Sequence, residues 1–429
     1  MEENAQRKTR VLFFVWGDSI HARRRIRIFT EDPSFEVGVI STFGYDFEKA
    51  ENFYLCDSGR VNHVRTGMSF FRKVVRGVLS RLLHFDLHEC YSLIADAKLT
   101  KGYVKTFRPD IVFLQTLLYP CYLSYLIPRT IPLMITFWNG DVTWWAQWNG
   151  VERLFKRKIV EYGVNRASAM TVNSQIAYDV CLGYGAPSER IHLIRYPGVD
   201  LERFKPASRE DARQRLSIRR GKVILCPRGL GGYLNSDIII EAAATVIARI
   251  PEAMFVFISG VGNDAEWQRH LERATQLGIA DHLRRDGQVP WDAMPLYYHA
   301  ADVVVSISSN DSLPNCMLEA MACGTPLVMG DIPQIREWVT DGVNGLLAPP
   351  RDSEAVSQAM LRLLEDDGIL ASEFVRHNLD LVGREVDSRM NSLLVKQLVH
   401  DIAGTHFQED GTSFVPVRVS GRGVGASRT

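Results

Sequence analysis

The chain reads as an α/β protein built from two doubly wound parallel-sheet domains. Three observations predict this. Apolar runs of four to six residues recur along the chain, the mark of strands buried on both faces. Stretches with helical periodicity separate those runs. The alternation pauses in a loop near Pro197 to Ser208 and then starts again. A length of 429 residues also exceeds one ordinary hydrophobic core.

The elements follow in order. Val11 to Trp16 (VLFFVW) is the first buried strand, and Gly17-Asp18-Ser19 is the turn after it. Ile20 to Thr30 follows as a helix, with Ser19 or Asp18 as its N-cap. Phe35 to Ser41, Ile111 to Leu114, Leu133 to Phe137 and Ala169 to Val172 are the further strands of the first half. The second set comprises Val223 to Cys226, Met254 to Ser259, Leu283 to Asp286, Val303 to Ile307 and Pro326 to Met329. The expected division is a first domain over 1–205 and a second over 206–375, with a linker near 200 to 220. Helices over 376–405 are expected to return to the first domain. Residues 406–429, rich in Gly, Ser, Thr and Arg, are expected to form a disordered tail.

Composition narrows the function. Hydrophobic residues make up 46% and charged residues 23%, as in ordinary α/β proteins. The formal net charge is zero, which argues against a nucleic-acid partner. Seven scattered cysteines without a CxxC pair favour reduced thiols in a cytoplasmic setting over disulfides or zinc. The polar start MEENAQRKTR carries no apolar signal core, and no apolar run reaches membrane-spanning length. Residues 70–85 are a separate feature. Phe71, Val74, Val75, Val78, Leu82 and Phe85 share one helical face, while Arg72, Lys73, Arg76 and Arg81 occupy the rest. Such a helix fits peripheral contact with the inner face of an anionic membrane, or packing against a sheet.

The richest chemistry lies between Asp302 and Pro350. A buried strand, a Ser/Asn/Asp/Pro loop (Ser308 to Pro314), the helical pattern NCMLEAMAC and a stop at Gly324 and Pro326 form a strand-loop-helix-strand unit. The unit sets two carboxylates, Asp311 and Glu319, around a helix N-terminus. Backbone N–H groups between Leu313 and Leu318, with Pro314, Asn315, Cys316 and Met317 between them, suit a pyrophosphate. Carboxylates beside that site suit sugar hydroxyls. Phosphate together with hydroxyls describes a sugar nucleotide. Taken alone, Asp311 also reads as an Asx-turn residue and Glu319 as an exposed helix residue.

Five ordered blocks carry a resemblance to a known family. They are RASAMTVNSQIAYDVCLGYGAPSERIHLIRYPGVDLERFKP with its Gly198-Val199-Asp200 and Phe204, CPRGL, PEAMFVFISGVG, RRDGQVPWDAMPLYYHAADVVVSIS, and the Asp302 stretch. Together they resemble the retaining glycosyltransferases of family four (group 1), whose GT-B fold sets two Rossmann-like domains facing each other across a cleft. The resemblance spans roughly residues 10 to 400. It implies that Glu319 binds the ribose of the donor and that Asp311, where relatives keep a glutamate, meets the donor sugar. It implies that Arg228 meets the diphosphate, consistent with the charge a guanidinium can stabilise on a leaving phosphate. Gly229, Gly231 and Gly232 then allow backbone approach to phosphate, and Gln288 and Val289 contact the base. Two departures stand out. The lysine expected after Arg228 is missing from GLGGYLNSD, and the histidine that relatives keep near Trp138 is missing too.

The first half is expected to bind the acceptor. Gly17 and Asp18 lie between strand and helix, where doubly wound folds bind ligands. Asp18 is either a hydroxyl contact or a cap. Trp138 and Asp141 follow the strand MITF, with Asp141 as an acceptor contact or a helix cap. The resemblance thus implies transfer of a sugar from a UDP-, GDP- or dTDP-sugar to a hydroxyl of a glycan, lipid-linked sugar or small molecule. It implies retention of configuration with neither metal nor cofactor. The competing readings are a sugar-nucleotide epimerase or phosphorylase on the same fold, and a non-catalytic partner that binds nucleotide sugar.

Overall fold

The computed structural model describes residues 7–15, 19–41, 44–55, 87–115, 123, 126–137, 150–218, 221–259, 264–311, 313–366 and 368–404. Gly17, Asp18, Trp138, Asp141 and the 70–85 segment lie outside the described residues. No helix among the described residues is long and apolar enough to cross a membrane.

The first half opens with β1 (Thr9–Val15), α1 (Ile20–Thr30), β2 (Phe35–Ser41), β3 (Glu51–Tyr54) and α2 (Leu87–Phe107). It continues with β4 (Ile111–Leu114), β5 (Leu133–Phe137), α3 (Gly150–Arg166), β6 (Ala169–Val172), α4 (Gln175–Gly183) and β7 (Ile191–Leu193). The seven strands form one parallel sheet in the order β3-β2-β1-β4-β5-β6-β7. The strand order across the sheet therefore reverses between β1 and β4. The apolar strand runs account for this sheet, because Val11 to Val15 and Ile111 to Leu114 are fully buried from both faces. Ser19 caps α1 by accepting from the Ala22 amide at 3.3 Å. Ala22, Ile26 and Phe29 share the inner face of α1 and pack on Phe13 and Phe113.

The second half contains α5 (Arg209–Arg215), β8 (Val223–Cys226), α6 (Ser236–Arg249), β9 (Met254–Ile258), α7 (Asp264–Gln276) and β10 (Leu283–Asp286). It goes on through α8 (Met294–Ala300), β11 (Val303–Ser306), α9 (Asn315–Cys323), β12 (Leu327–Gly330), α10 (Pro333–Arg336), β13 (Leu346–Ala348) and α11 (Ser353–Leu364). Its parallel sheet runs β10-β9-β8-β11-β12-β13, with the reversal between β8 and β11. Hydrophobic clusters cover both faces of this sheet.

Two last helices, α12 (Ile369–Glu385) and α13 (Ser388–Ala403), close the chain. Val395 and Val399 of α13 join the core of the first sheet, and Lys396 pairs with Asp32 at 2.8 Å. The crossing from α12 to α13 rests on the segment after Tyr196. Val199 N–H donates to the Val386 carbonyl at 2.7 Å, and Ser388 N–H returns a bond to the Val199 carbonyl at 2.9 Å. Gly198 has φ of 72°, and a Cβ there would lie 2.3 Å from the Val386 oxygen. Only glycine allows that approach. A second tie joins the halves, since the Glu337 carboxylate accepts from the Gln175 and Ile176 amides at 2.8 and 3.1 Å.

The short strands β3, β7 and β13 were not expected from sequence. They are edge strands of three or four residues, two of them carrying partly exposed polar groups, so no long apolar run marks them.

A candidate nucleotide-sugar site

Doubly wound sheets bind ligands at the carboxyl ends of the strands that flank the reversal. In the second sheet those strands are β8 and β11. Arg228 stands two residues beyond β8, and Asp311 stands in the loop that joins β11 to α9. The structure brings them together. Arg228 Nη1 donates to Asp311 Oδ2, and Ser308 Oγ donates to the same oxygen at 3.1 Å. The side chains are only 25% and 11% exposed, so this pair is shielded more than a surface salt bridge. A guanidinium has five donors, so pairing with one carboxylate oxygen leaves capacity for an anion.

The start of α9 faces the same place. Pro314 occupies the N-cap position with extended backbone and has no N–H to lose. The Met317 and Leu318 amides turn back to the Pro314 carbonyl at 3.1 and 3.4 Å. Asn315 and Cys316 supply the first-turn amides that precede those bonds, at the positive end of the helix dipole. Leu313, Pro314, Cys316, Met317 and Leu318 are buried, which holds the turn in place. Burial also pushes the Cys316 thiol up, against its nucleophilic use.

Glu319 sits one helical turn further along α9 and is only 8% exposed. This excludes the exposed-helix reading of that residue. Trp291 Nε1 donates to its Oε1 at 3.1 Å, and Tyr298 Oη donates to its Oε2 at 2.8 Å. Each carboxylate oxygen accepts two hydrogen bonds, so each can take one more donor beside these. Burial raises the Glu319 pKa above the usual glutamate value, and the Tyr298 and Trp291 bonds oppose the rise. The same carboxylate helps hold the Tyr298 phenol well above its ordinary range, after burial.

The loop after Arg228 is built differently from a simple phosphate cradle. Gly231 has φ of 80°. Its N–H donates to Ser236 Oγ at 2.7 Å and so points into the protein. Ser236 Oγ lies 2.6 Å from His270 Nε2, and His270 Nδ1 lies 4.0 Å from Glu266. Ser236 Oγ accepts from Gly231 and can give its hydrogen to Nε2, an arrangement in which the His270 proton sits on Nδ1 toward Glu266. Burial depresses the His270 pKa and so favours the neutral ring. Gly232, with φ of 56° and open space at its Cβ, remains the exposed point of the loop. Tyr233, in the stretch expected to hold a lysine, is half exposed. Asn235 ties the loop to β11 by donating to the Ile307 carbonyl at 2.8 Å and to Ser309 Oγ at 2.6 Å.

Gln288 and Val289 follow β10 at the same end of the sheet. Gln288 is exposed, and Val289 packs half-buried on the core. Glu241, by contrast, pairs with Arg273 at 2.5 Å on α6 and takes no part in this cluster.

Sequence reasoning missed Trp291, Tyr298, Ser236 and His270. The signal for the first two was a carboxylate on an apolar helix. A buried acid needs donors, and WDAMPLYY ends near it with an indole N–H and phenols. Nothing in the sequence pairs Ser236 with His270, since that meeting depends on α6 lying beside α7.

Known proteins resemble this chain in both halves. The family model described as Glycosyltransferase Family 4 matches residues 35–203, and that described as Glycosyl transferases group 1 matches residues 221–366. A D-inositol 3-phosphate glycosyltransferase of Geodermatophilus obscurus is 38% identical over 201 residues, 45% of this chain and 44% of the relative. One from Salinispora tropica is 35% identical over 234 residues, 51% of this chain and 48% of the relative. The chain thus spans about half the length of the curated relatives it matches. Among solved structures, the HepE protein of Anabaena in complex with UDP superposes with a TM-score of 0.68 at 18% identity, covering 92% of this chain and all of that one. Sucrose-phosphate synthase of Thermosynechococcus elongatus gives 0.71 at 17% identity, with 92% and 100% coverage. These likenesses show the fold of two Rossmann-like domains.

Proposed function

We propose that this chain, a group 1, family-four glycosyltransferase by both halves of its sequence and by its two-sheet fold, moves a sugar from a nucleoside-diphosphate donor to an acceptor hydroxyl with retention of configuration. One observation carries the reading. Arg228, Asp311, the start of α9 and the buried Glu319 converge at the reversal of the second sheet. Glu319 offers each ribose hydroxyl one acceptor site on an oxygen already oriented by a protein donor. The α9 amides of Asn315 and Cys316 and the spare donors of Arg228 take the diphosphate. Asp311 faces the donor sugar.

The chemistry follows from charge. As the glycosidic bond breaks, the diphosphate gains negative charge, and fixed donors aimed at that charge lower the barrier. Arg228 and the α9 dipole provide them, which is why we propose a reaction independent of metal. Gly17, Asp18, Trp138 and Asp141 are the proposed acceptor side, and Gln288 and Val289 the base contacts. The proposed division is a first domain of 1–205, a second of 206–375, and helices of 376–405 leaning on the first.

The HepE neighbour was solved with UDP and with UDP-glucose, so UDP-glucose is the first donor to try. The similar curated proteins are named for D-inositol 3-phosphate, which makes that compound the first acceptor to try, ahead of glycans and lipid-linked sugars. The test is thermal stabilisation by UDP, GDP and dTDP, followed by product analysis of the stabilising donor with and without acceptor in EDTA. Product without acceptor would point to an epimerase or to another use of the fold. Glu319→Ala with undiminished donor affinity would remove the ribose assignment.

A second reading has its own observation. The expected lysine is absent, Tyr233 stands in its stretch, and Arg228 is already paired with Asp311. A weaker positive clamp fits a nucleotide-sugar-binding partner of another transferase. Tight nucleotide binding with no turnover on any acceptor extract would favour it.

A further inference from the structure

Trp291 collects contacts from three parts of the chain. Its Nε1 donates to Glu319 in α9 at 3.1 Å. The Arg24 guanidinium of α1, in the first half, lies 4.4 Å from its ring centroid. The Arg203 guanidinium, just after the Gly198-Val199-Asp200 crossing, lies 4.6 Å from it. Phe204 packs beside the same ring at 5.5 Å, and Asp200 holds Arg203 at 3.7 Å. Cations over an indole face are attracted by its quadrupole, more strongly when shielded from water. Arg24 is partly buried, and the Glu319 carboxylate is the largest influence opposing the burial that lowers its pKa. The ring therefore stands between the first half, the connecting segment and the buried carboxylate.

We propose that Trp291 is a positioning residue that couples nucleotide occupancy at Glu319 to the approach of the two halves of the molecule. The inference rests on the donor reading above, and deepens it. The indole N–H fixes the rotation of the carboxylate, so that one acceptor site on each oxygen faces a ribose diol. The ring gives Arg24 a seat on the second half, next to the charge it complements. Arg203 fixes the ring from the connecting segment. A diol bound to Glu319 locks the carboxylate and hence the indole, and a fixed indole holds Arg24. Closure around a donor is the common device by which such clefts exclude water. Here it would be sensed at the ribose.

The experiment uses the full chain and free nucleotides. Wild type is first titrated with UDP, GDP and dTDP by thermal shift, and the nucleotide that stabilises it is the probe. Four variants follow: Trp291→Phe, Trp291→Leu, Arg24→Gln and Arg24→Lys. Affinity is read by titration, and closure by the probe-induced fall in radius of gyration in solution scattering. Trp291→Phe keeps a ring but loses the N–H that ties it to Glu319, so affinity falls on the order of tenfold and most of the probe-induced compaction is lost with it. Arg24→Gln loses compaction and changes affinity by only a few-fold, and Arg24→Lys recovers part of the compaction. Trp291→Leu loses both. If no nucleotide stabilises wild type, the donor reading fails and takes this one with it. If wild type binds and Trp291→Phe and Arg24→Gln match it in affinity and compaction, the coupling alone is overturned. A lower melting temperature in the variants with unchanged nucleotide response would overturn it as well, by reducing Trp291 to a packing residue.

Discussion

Asp311 and Glu319 lie at the two ends of one short stretch, and their surroundings hold a negative charge by opposite means. At the Asp311 end, a charge answers a charge: Arg228 pairs with it in a half-shielded loop. At the Glu319 end, dipoles answer a charge: an indole and a phenol donate to a carboxylate packed inside the second core. An ion pair can exchange partners when a stronger anion arrives. A carboxylate held by neutral donors keeps its geometry and waits for hydroxyls. In the proposed reaction these are two different tasks, one at the bond that breaks and one at the part of the donor that does not react. Binding energy at a remote group helps place the reacting one.

The largest effect should come from breaking the charged end. Arg228→Ala removes the proposed partner of the leaving diphosphate and leaves Asp311 without its guanidinium. Turnover of the stabilising donor should fall about 10²–10³-fold, as for loss of one preorganised donor to developing charge. The measurement is kcat with saturating acceptor. A fall confined to KM would mean that Arg228 binds ground state and transition state alike.

Glu319→Ala should act next, and on binding. Two hydrogen bonds from a diol to a charged acceptor are lost, so donor affinity should drop between about 10- and 100-fold. Calorimetric titration with the stabilising nucleotide reads this, and the matching deoxyribonucleotide should lose less on mutation than the ribonucleotide does. Equal losses for both would place the ribose elsewhere.

Acid separates the two ends further. The Glu319 pKa is raised by burial, so donor binding should weaken as pH falls through a value above that of an ordinary glutamate, about 4.3. The unliganded protein should show the opposite sign at this residue. The folded state binds this proton more readily than the unfolded chain, so between the two pKa values the Glu319 contribution to stability grows as pH falls. Above the folded value the burial of charge is fully felt. Glu319→Gln should abolish both trends, and a nucleotide titration at several pH values beside melting curves would show it.

This contrast was half legible in the sequence. The eight-residue spacing around a helix start placed both carboxylates, and most central strands began and ended within a residue of their apolar runs. Those features are local: they depend on periodicity and on what a helix N-terminus needs. Burial of Glu319 was not legible, because α9 is buried nearly all round and a charge there looks like an exception until Trp291 and Tyr298 arrive from α8 and the turn before it. The Arg228–Asp311 pair joins loops that follow two strands, β8 and β11, which neighbour only because the strand order reverses there. The inward turn of Gly231 needed Ser236 and His270, which come from different helices. Position along the chain singles out Arg228, Asp311 and Glu319 as candidates, and only packing decides how their charges are held.

The smallest effect on donor binding should come from the support of the charged end. Ser236→Ala removes the one hydroxyl that accepts from the part-buried Gly231 N–H and faces the buried His270 Nε2. Leaving such groups unsatisfied costs about 1–3 kcal/mol of stability, so the melting temperature should drop clearly. Gly231 N–H then becomes free to turn toward a phosphate, which offsets part of the loop's loss of order. Donor affinity should therefore change by only a few-fold while stability falls. A loss of affinity as large as that of Arg228→Ala would show instead that the Ser236–His270 pair sets the position of Arg228 itself, and the charged end would then be as rigidly built as the Glu319 end.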